Sequence, residues 1–465
     1  MLATPATVTS VPETARDRPK SSPPKPLDRT AVQESLERLL PADTIRKLAR
    51  ATGFVVRERA IEPVAFVWSL ILGFGVELHR SLEELREAYI ESADLEDLAH
   101  SSYNMRFTPE LCEFLRQCLQ VAIANLAKEP GRELDPRLKA IADDVVIKDS
   151  SVVRLHASLA KKFPATRSRK VAAGLKVDAL ISVCANGPKS VALVGERTAD
   201  IKTLRLGPWV RGRILLADLG YYSHRHFAKI AEHGGFFVSR LKENADPLFV
   251  RSNTVHRGRA IDLKGKYLSE VLPHLDRGIL DAEVELTYRK RGYNGRRASD
   301  TFTCRLVAVW DEKARRYHTY VTNIGPERLS AEEVATLYSL RWEIELTFKE
   351  MKSSYALDKF KTRNEHAIQA LIWAALLTLV VSRRLQNEVR KNALPEHRPR
   401  YTQLRWGRAF RRAAQHVLTL LLHHLGLGPS EKDAKVTFPK MNRALTRFSL
   451  DTHVNRHRFR EEWSG

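Results

Sequence analysis

Four residues on one predicted helix carry the densest chemistry in the chain. In EEVATLYSLRWEIELTFKEMKSSY, which begins at Glu332, the residues Leu337, Leu340, Ile344, Phe348, Met351 and Tyr355 form an apolar stripe. At about 100° per residue that stripe is about 80° wide. Tyr338, Arg341, Glu345 and Lys352 fall into a second arc about 60° wide directly beside it. The stripe fixes the helix on a core, so the four polar groups line the edge of a buried face and look along a groove. A solvated flank with one Arg–Glu pair, contributing about 0.3–0.5 kcal/mol, accounts for any one of them alone. Together they suit a metal-bound phosphodiester. Glu345 would hold Mg²⁺, while the guanidinium, ammonium and phenol take phosphate oxygens.

The spacing Tyr338-x2-Arg341-x3-Glu345-x6-Lys352 matches in full the Y-R-E-K signature of bacterial DDE transposases, and the chain resembles the insertion sequence four family. The likeness covers roughly residues 140–385. It implies an α/β fold with an RNase H-like catalytic core, a mixed sheet with flanking helices, interrupted by a β-rich insertion. Helical N- and C-terminal domains flank that core. It also implies a catalytic, metal-binding triad of Asp149 on the first strand, Asp218 after the fourth and Glu345 on the later helix. Two Mg²⁺ (or Mn²⁺) ions are expected there. The implied activity is binding of insertion-sequence ends, metal-dependent hydrolysis of the DNA, and joining of the freed 3′-hydroxyls to target DNA without a covalent protein intermediate. The implied partners are double-stranded DNA, at element ends and target, and a second copy of the chain in a DNA-bound homodimer. Two small departures remove no ligand: Ser150-Ser151 follow the first Asp, and Leu219 stands where Arg is common.

The residues themselves leave rivals open. Asp149 sits mid-strand in VVIKDSSVV, where a carboxylate is buried and needs a partner charge or metal. Asp218, in the context ADLGY, is at a strand end, where a helix cap or turn role competes. Asp143 and Asp144 compete for the first position but are expected at the strand's exposed start, and Asp178 is a lesser rival within a strand pattern. Carboxylates without a His or Cys cluster favour a hard, oxygen-preferring cation. HExxH is absent; His224 with His226, and His453 with His457, are assigned structural or surface roles.

The elements that position these groups follow from pattern. Residues 1–29 are a Pro- and Ser-rich disordered tail. Residues 30–138 have helical apolar spacing, with Ser81 and Glu84 forming a capping box, and make a helical domain, which the resemblance implies binds DNA. Strand-like runs at 145–155, 174–184, 190–196 and 212–220, with a hairpin at Asn186-Gly187-Pro188, open the catalytic core, 139–245. Residues 246–326 form the insertion, 327–385 complete the core, and 386–465 are a basic helical region. The apolar runs 64–76 and 370–381 are shorter than a membrane span and are read as core helices.

Of 465 residues, 77 are Lys or Arg against 55 Asp or Glu, a net charge of +22. With 43% hydrophobic residues the chain is globular, and the charge points to nucleic acid. The last 83 residues hold 18 Lys and Arg against 7 acids, half the excess. DNA contacts are expected from Lys161, Lys162, Arg167, Arg169 and Lys170 in one loop, and from Arg289, Lys290, Arg291, Arg296 and Arg297 at a hairpin tip. The resemblance implies a base flipped against an aromatic on the insertion, for which Trp310 is the candidate, with a core role competing. Leucines at 418–427 suit either a dimer interface or burial within one chain. Cys112, Cys118, Cys184 and Cys304 show no disulfide or zinc framework, and no signal peptide opens the chain, so a cytoplasmic, nucleoid-associated enzyme is expected. A nuclease that cuts without joining, and an inert DNA-binding descendant, are the alternatives. No membrane partner is expected, for want of a Lys-rich amphipathic helix.

Overall fold

The computed structural model describes residues 23–57, 61–76, 79–129, 131–166, 173–256, 259–276, 278–290, 298–358 and 360–451. Helices come first: α1 (Arg29–Leu39), α2 (Ala42–Ala51), α3 (Pro63–Leu72), α4 (Leu82–Ser92), α5 (His100–Asn104), α6 (Pro109–Lys128) and α7 (Pro136–Lys139). Their starts are written in the sequence. Asp28 caps α1, Thr108 caps α6 ahead of Pro109, and Ser81 with Glu84 closes the expected capping box on α4.

The strands follow: β1 (Asp144–Leu155), β2 (Ala173–Ser182) and β3 (Gly187–Gly195), then α8 (Asp200–Thr203), β4 (Arg213–Ala217), α9 (His224–Glu232) and β5 (Phe236–Arg240). Asn186 turns the β2–β3 hairpin at φ 55°, a left-handed conformation that Asn tolerates. Its side-chain amide donates to Gln386 and Asn387, both at 3.0 Å. Next come β6 (Leu248–Ser252), β7 (Val255–His256), β8 (Arg259–Ala260), α10 (Leu268–Val271), β9 (Ile279–Arg289), β10 (Ser299–Asp311) and β11 (Arg316–Thr322). The chain then returns to helix in α11 (Ala331–Ser339), α12 (Trp342–Ser354), α13 (Glu365–Asn392), α14 (Gln403–His424) and α15 (Glu431–Arg443).

Nine strands make one mixed sheet, in the order β3-β2-β1-β4-β5-β11-β10-β9-β6. β1 pairs antiparallel with β2 and parallel with β4, and β4 pairs parallel with β5. The strands read as an insertion extend this sheet edge to edge: β11 joins β5 with Tyr320 opposite Arg240. The two sheet faces carry two apolar clusters. On one side Val145, Ile147, Ile214 and Leu216 pack with α11–α14 and the N-terminal helices. On the other, Val146 and Leu215 pack with Phe227, Phe237, Leu306 and Val321. The first and last helical segments therefore share a core with the sheet, α13 lying along α6 and α1, and α14 against α12 and α3.

α13 runs for 28 residues, well beyond the apolar run that announces it. Among the described residues it is the one helix long and apolar enough to cross a membrane, and 83% of its most apolar stretch is buried inside the fold. Leu418, Leu420, Leu421 and Leu422 of α14 are likewise buried within this single chain.

The single helix expected from Glu332 is two. Leu340 donates to Leu337 O at 3.1 Å, Arg341 to Tyr338 O at 3.0 Å and Glu343 to Leu340 O at 2.9 Å. These i→i+3 bonds make a 3₁₀ turn between α11 and α12. The apolar stripe survives it: all six stripe residues are buried.

Close backbone approach explains Gly75, between α3 and α4. A Cβ there would overlap the buried Thr378 hydroxyl, which donates to Ile71 O at 2.7 Å and Ala374 O at 2.8 Å. Gly75→Ala is expected to destabilise the fold by about 1–3 kcal/mol, as an overpacked core does. A urea denaturation midpoint unchanged from the parent protein would contradict this.

Candidate active site

β1 and β4 run side by side and parallel, with Lys148 opposite Ala217. The next residue on each is Asp149, in the middle of β1, and Asp218, just past the end of β4, so the two stand side by side at about the 4.8 Å spacing of neighbouring strands. Asp149 takes the face of Val145 and Ile147, toward α12. There it meets Glu345, Phe348, Lys349 and Lys352 across an open cleft of about 580 Å³. Asp218 of the β4 end and Glu345 of α12 thus stand near enough to Asp149 for their charges to act on it.

Their electrostatics are strained. Burial is the main cause that pushes the Asp149 carboxyl up to about 6. The Ser150 N–H, donating at 2.7 Å, and Arg341 oppose the rise, while the charges of Asp218 and Glu345 add to it. Asp218 occupies the first position of a short 3₁₀ turn, Leu219–Tyr221, yet its side chain caps no N–H. The cap role that competed for it is not used.

Of the Y-R-E-K residues, Glu345 and Lys352 line the cleft, and Tyr338 and Arg341 stand near Asp218. The Glu345 carboxylate accepts from Arg341 Nη1 at 2.6 Å. The 3₁₀ turn lays the Arg341 guanidinium over two rings, 5.8 Å from the Tyr338 centroid and 5.7 Å from that of Trp342. Tyr338 is buried against Tyr320, its hydroxyl 3.4 Å from Ala217 O, next to Asp218. Burial pushes that phenol up to about 12, so it stays a hydrogen-bond donor at neutral pH. Lys352 donates to Val152 O at 3.0 Å, tying α12 to β1.

Two cations beside the cleft escaped the sequence reading. Lys349 is exposed on the cleft wall, one turn beyond Glu345, and its i,i+4 spacing from Glu345 is the signal that was available. Arg240 ends β5 at the level of Asp218, since Leu216 of β4 pairs with Val238, and its charge reaches Tyr338. Only the strand pairing reveals that.

The rival acids are accounted for. Asp178 is buried in an ion pair with Lys148, and also accepts from Thr203 Oγ1 at 2.7 Å and the Tyr221 hydroxyl at 3.1 Å. Asp143 is exposed, as expected, but Asp144 is buried. It accepts from Ser182 Oγ at 2.8 Å and the Cys184 N–H at 3.1 Å, partners that make its burial tolerable. His224 hydrogen-bonds Thr287 O and the Tyr222 hydroxyl, consistent with a structural role; His453 and His457 lie outside the described residues.

Other expected contacts divide. Lys161 is exposed, and Lys162 pairs with Glu365. Arg289 is exposed at the end of β9, and Lys290 pairs with Asp300 at 2.7 Å. Arg167, Arg169, Lys170, Arg291, Arg296 and Arg297 lie outside the described residues. Trp310 is removed from the cleft. It alternates with Leu306 and Ala308 onto the opposite sheet face and rests on Tyr317, ring centroids 5.1 Å apart.

The cleft offers the Asp149 and Glu345 carboxylates and the Ser150 and Ser151 hydroxyls, oxygen donors that fit a hard divalent cation. Among the described residues no three acidic, His or Cys side chains stand close enough to share one ion as they lie, Glu345 being drawn to Arg341.

Residues 141–381, just over half the chain, match the family model for the transposase DDE domain. The transposase for insertion sequence element IS231B of Bacillus thuringiensis subsp. berliner is 21% identical over 408 residues, covering 78% of this chain and 81% of that one. The transposase for IS1151 of Clostridium perfringens is 20% identical over 381 residues, covering 76% and 79%. A solved structure of the piggyBac transposase synaptic complex with hairpin DNA aligns with a TM-score of 0.45 at 11% identity, over 90% of this chain and 88% of that one. The chain belongs to the transposase DDE domain family. It is a DDE transposase, an enzyme that acts on DNA by cleavage and strand transfer, and the family's chemistry depends on a divalent metal.

Proposed function

We propose that this transposase serves an insertion sequence: it binds the element's ends, cleaves the DNA there by hydrolysis, and joins the 3′-hydroxyls to target DNA in the nucleoid. The observation that carries the reading is the nearness of Asp149 in the middle of β1, Asp218 just past the end of β4 and Glu345 in the first turn of α12. The order β3-β2-β1-β4-β5, antiparallel through β1 and parallel beyond it, supports an RNase H-like core.

Asp149, Asp218 and Glu345 would hold Mg²⁺ or Mn²⁺, two ions in all, whose chemistry is to activate water or a 3′-hydroxyl on one side of a phosphate and steady the leaving oxygen on the other. The chain's own groups do the positioning. Arg341 and Lys352 present cations to phosphate oxygens, and Tyr338, protonated beside Asp218, presents a hydroxyl. Residues 161–170 and 289–297 extend the phosphate contacts. The helices within 30–138 read the element's ends, and two copies of the chain assemble on paired ends.

The test is product analysis with end-containing duplex, a supercoiled target plasmid and Mg²⁺. Joined molecules are expected. Cuts without joining would reassign the protein as a metal-dependent nuclease, and an uncut duplex would overturn the active-site assignment.

A further inference from the structure

The face of the sheet turned away from α12 carries a second groove. Lys148, Asp178 and Leu180 form its floor with β3, the segment 198–209 forms its roof, and it encloses about 660 Å³. Among the described residues β3 is an edge strand of the nine-stranded sheet, so the groove opens along its unpaired side.

Its charge is unbalanced. Asp178 is the acid on the wall, and it is neutralised from within by Lys148 while accepting from Thr203 and Tyr221. Lys189, Lys202 and Arg205 also line the groove, and none forms an ion pair with a described carboxylate. Lys202 and Arg205 are exposed, whereas Lys189 is half-buried. Burial, and then the neighbouring Arg213 guanidinium, hold its ammonium below the usual lysine range, with Asp144 only partly offsetting them. Asp144 is already engaged by Ser182 and Cys184. Trp209 supplies an apolar wall, its Nε1 donating to Arg205 O at 2.8 Å, so the ring is fixed beside a free cation.

We propose that this groove is a second DNA-backbone site, which holds duplex DNA lying outside the scissile phosphate against the free edge of β3 through Lys189, Lys202 and Arg205. This rests on the reading of the chain as a DNA-acting enzyme. Three cations on one open groove, none paired with a described carboxylate, suit backbone phosphates, each neutralised with release of counterions. The catalytic carboxylates face the other side of the sheet, so this contact is separate from the one that positions the reacting phosphate.

Binding of a fluorescent random-sequence duplex by the full chain, without divalent metal and from 50 to 200 mM NaCl, tests it. Lys189→Gln/Lys202→Gln/Arg205→Gln is expected to bind about 10-fold more weakly or worse at 100 mM, with the salt slope reduced by about 2–3. Lys189→Arg/Lys202→Arg/Arg205→Lys should restore both. Unchanged affinity overturns the proposal. So does weaker binding with an unchanged slope, which means lost structure rather than lost phosphate contacts. Because no chemistry occurs in this assay, its failure is distinct from failure of the active-site reading, which metal-dependent cleavage decides.

Discussion

Asp149→Asn is expected to lower metal-dependent strand cleavage by about 10³-fold or more while leaving affinity for end DNA within a few-fold. Removing a carboxylate that holds a catalytic ion forfeits several kcal/mol of transition-state stabilisation, about 1.4 kcal/mol per tenfold in rate. Asp218→Asn and Glu345→Gln should do the same. At Asp149 a second, opposite effect is expected on folding. Its carboxyl is pushed up to about 6 chiefly by burial, against an ordinary value of 3.8. Between those two values the folded state binds more protons than the unfolded one, so stability falls as pH rises through that window, and the penalty is complete above it. Two units correspond to about 3 kcal/mol, which partial exposure of the carboxylate reduces to about 1–2 kcal/mol. Metal-free Asp149→Asn should therefore be more stable than the parent protein at pH 7.5 and indistinguishable from it near pH 4, by urea denaturation. Added Mg²⁺ should stabilise the parent protein and leave the variant unmoved. Strand cleavage retained by Asp149→Asn would sink the assignment, whatever its stability.

What was legible in advance was what short-range periodicity encodes. The apolar stripe put Tyr338, Arg341, Glu345 and Lys352 along one edge, of which Glu345 and Lys352 line the cleft while Tyr338 is buried and Arg341 pairs with Glu345. A polar residue in the middle of VVIKDSSVV pointed to Asp149 for the reason the structure shows, a carboxyl whose burial pushes it up. The tightened turn at Leu340–Arg341 was not legible. Both residues keep right-handed helical angles, and neither Gly nor Pro marks the spot. Nor was the union of the later strands with the core sheet, since β5 and β11 pair across about eighty intervening residues and pairing at that range leaves no local mark. Trp310 shows the same limit. Its parity along β10 places it on one face, but which face meets α12 depends on the packing of the whole sheet. Asp144 looked exposed because its partners, Ser182 and Cys184, come from the far end of another strand.

Glu350→Ala is expected to destabilise the protein by about 3–5 kcal/mol, and to slow cleavage although Glu350 touches nothing in the cleft. Glu350 lies on α12, wholly buried, and pairs with the equally buried Arg383 of α13. The Tyr355 hydroxyl donates to it at 2.6 Å and lies 2.5 Å from Ser382 Oγ, which accepts from Trp406 Nε1 at 2.8 Å. Arg383 also donates to Gln386 at 3.2 Å, and Gln386 to Tyr401 O at 2.9 Å. Gly407 of α14 leaves room for the Glu350 side chain, since a Cβ there would stand 2.9 Å from its Cγ. The network thus bolts the helix that carries Glu345 to α13 and α14, from the side opposite the reacting groups. Truncating one partner leaves a buried guanidinium without its counter-charge, the most damaging way to break such a pair. Removing both should cost less than the sum, because the orphaned charge goes with its partner, and a double-mutant cycle on Glu350→Ala and Arg383→Ala reads that coupling directly. Strict additivity, or Glu350→Ala with parental stability, would show that α12 is held by its apolar stripe alone. A loosened α12 displaces Glu345 and Arg341 together, so kcat should fall more than affinity for end DNA, and it should recover in Glu350→Gln to the extent that the amide keeps the Tyr355 and Arg383 hydrogen bonds.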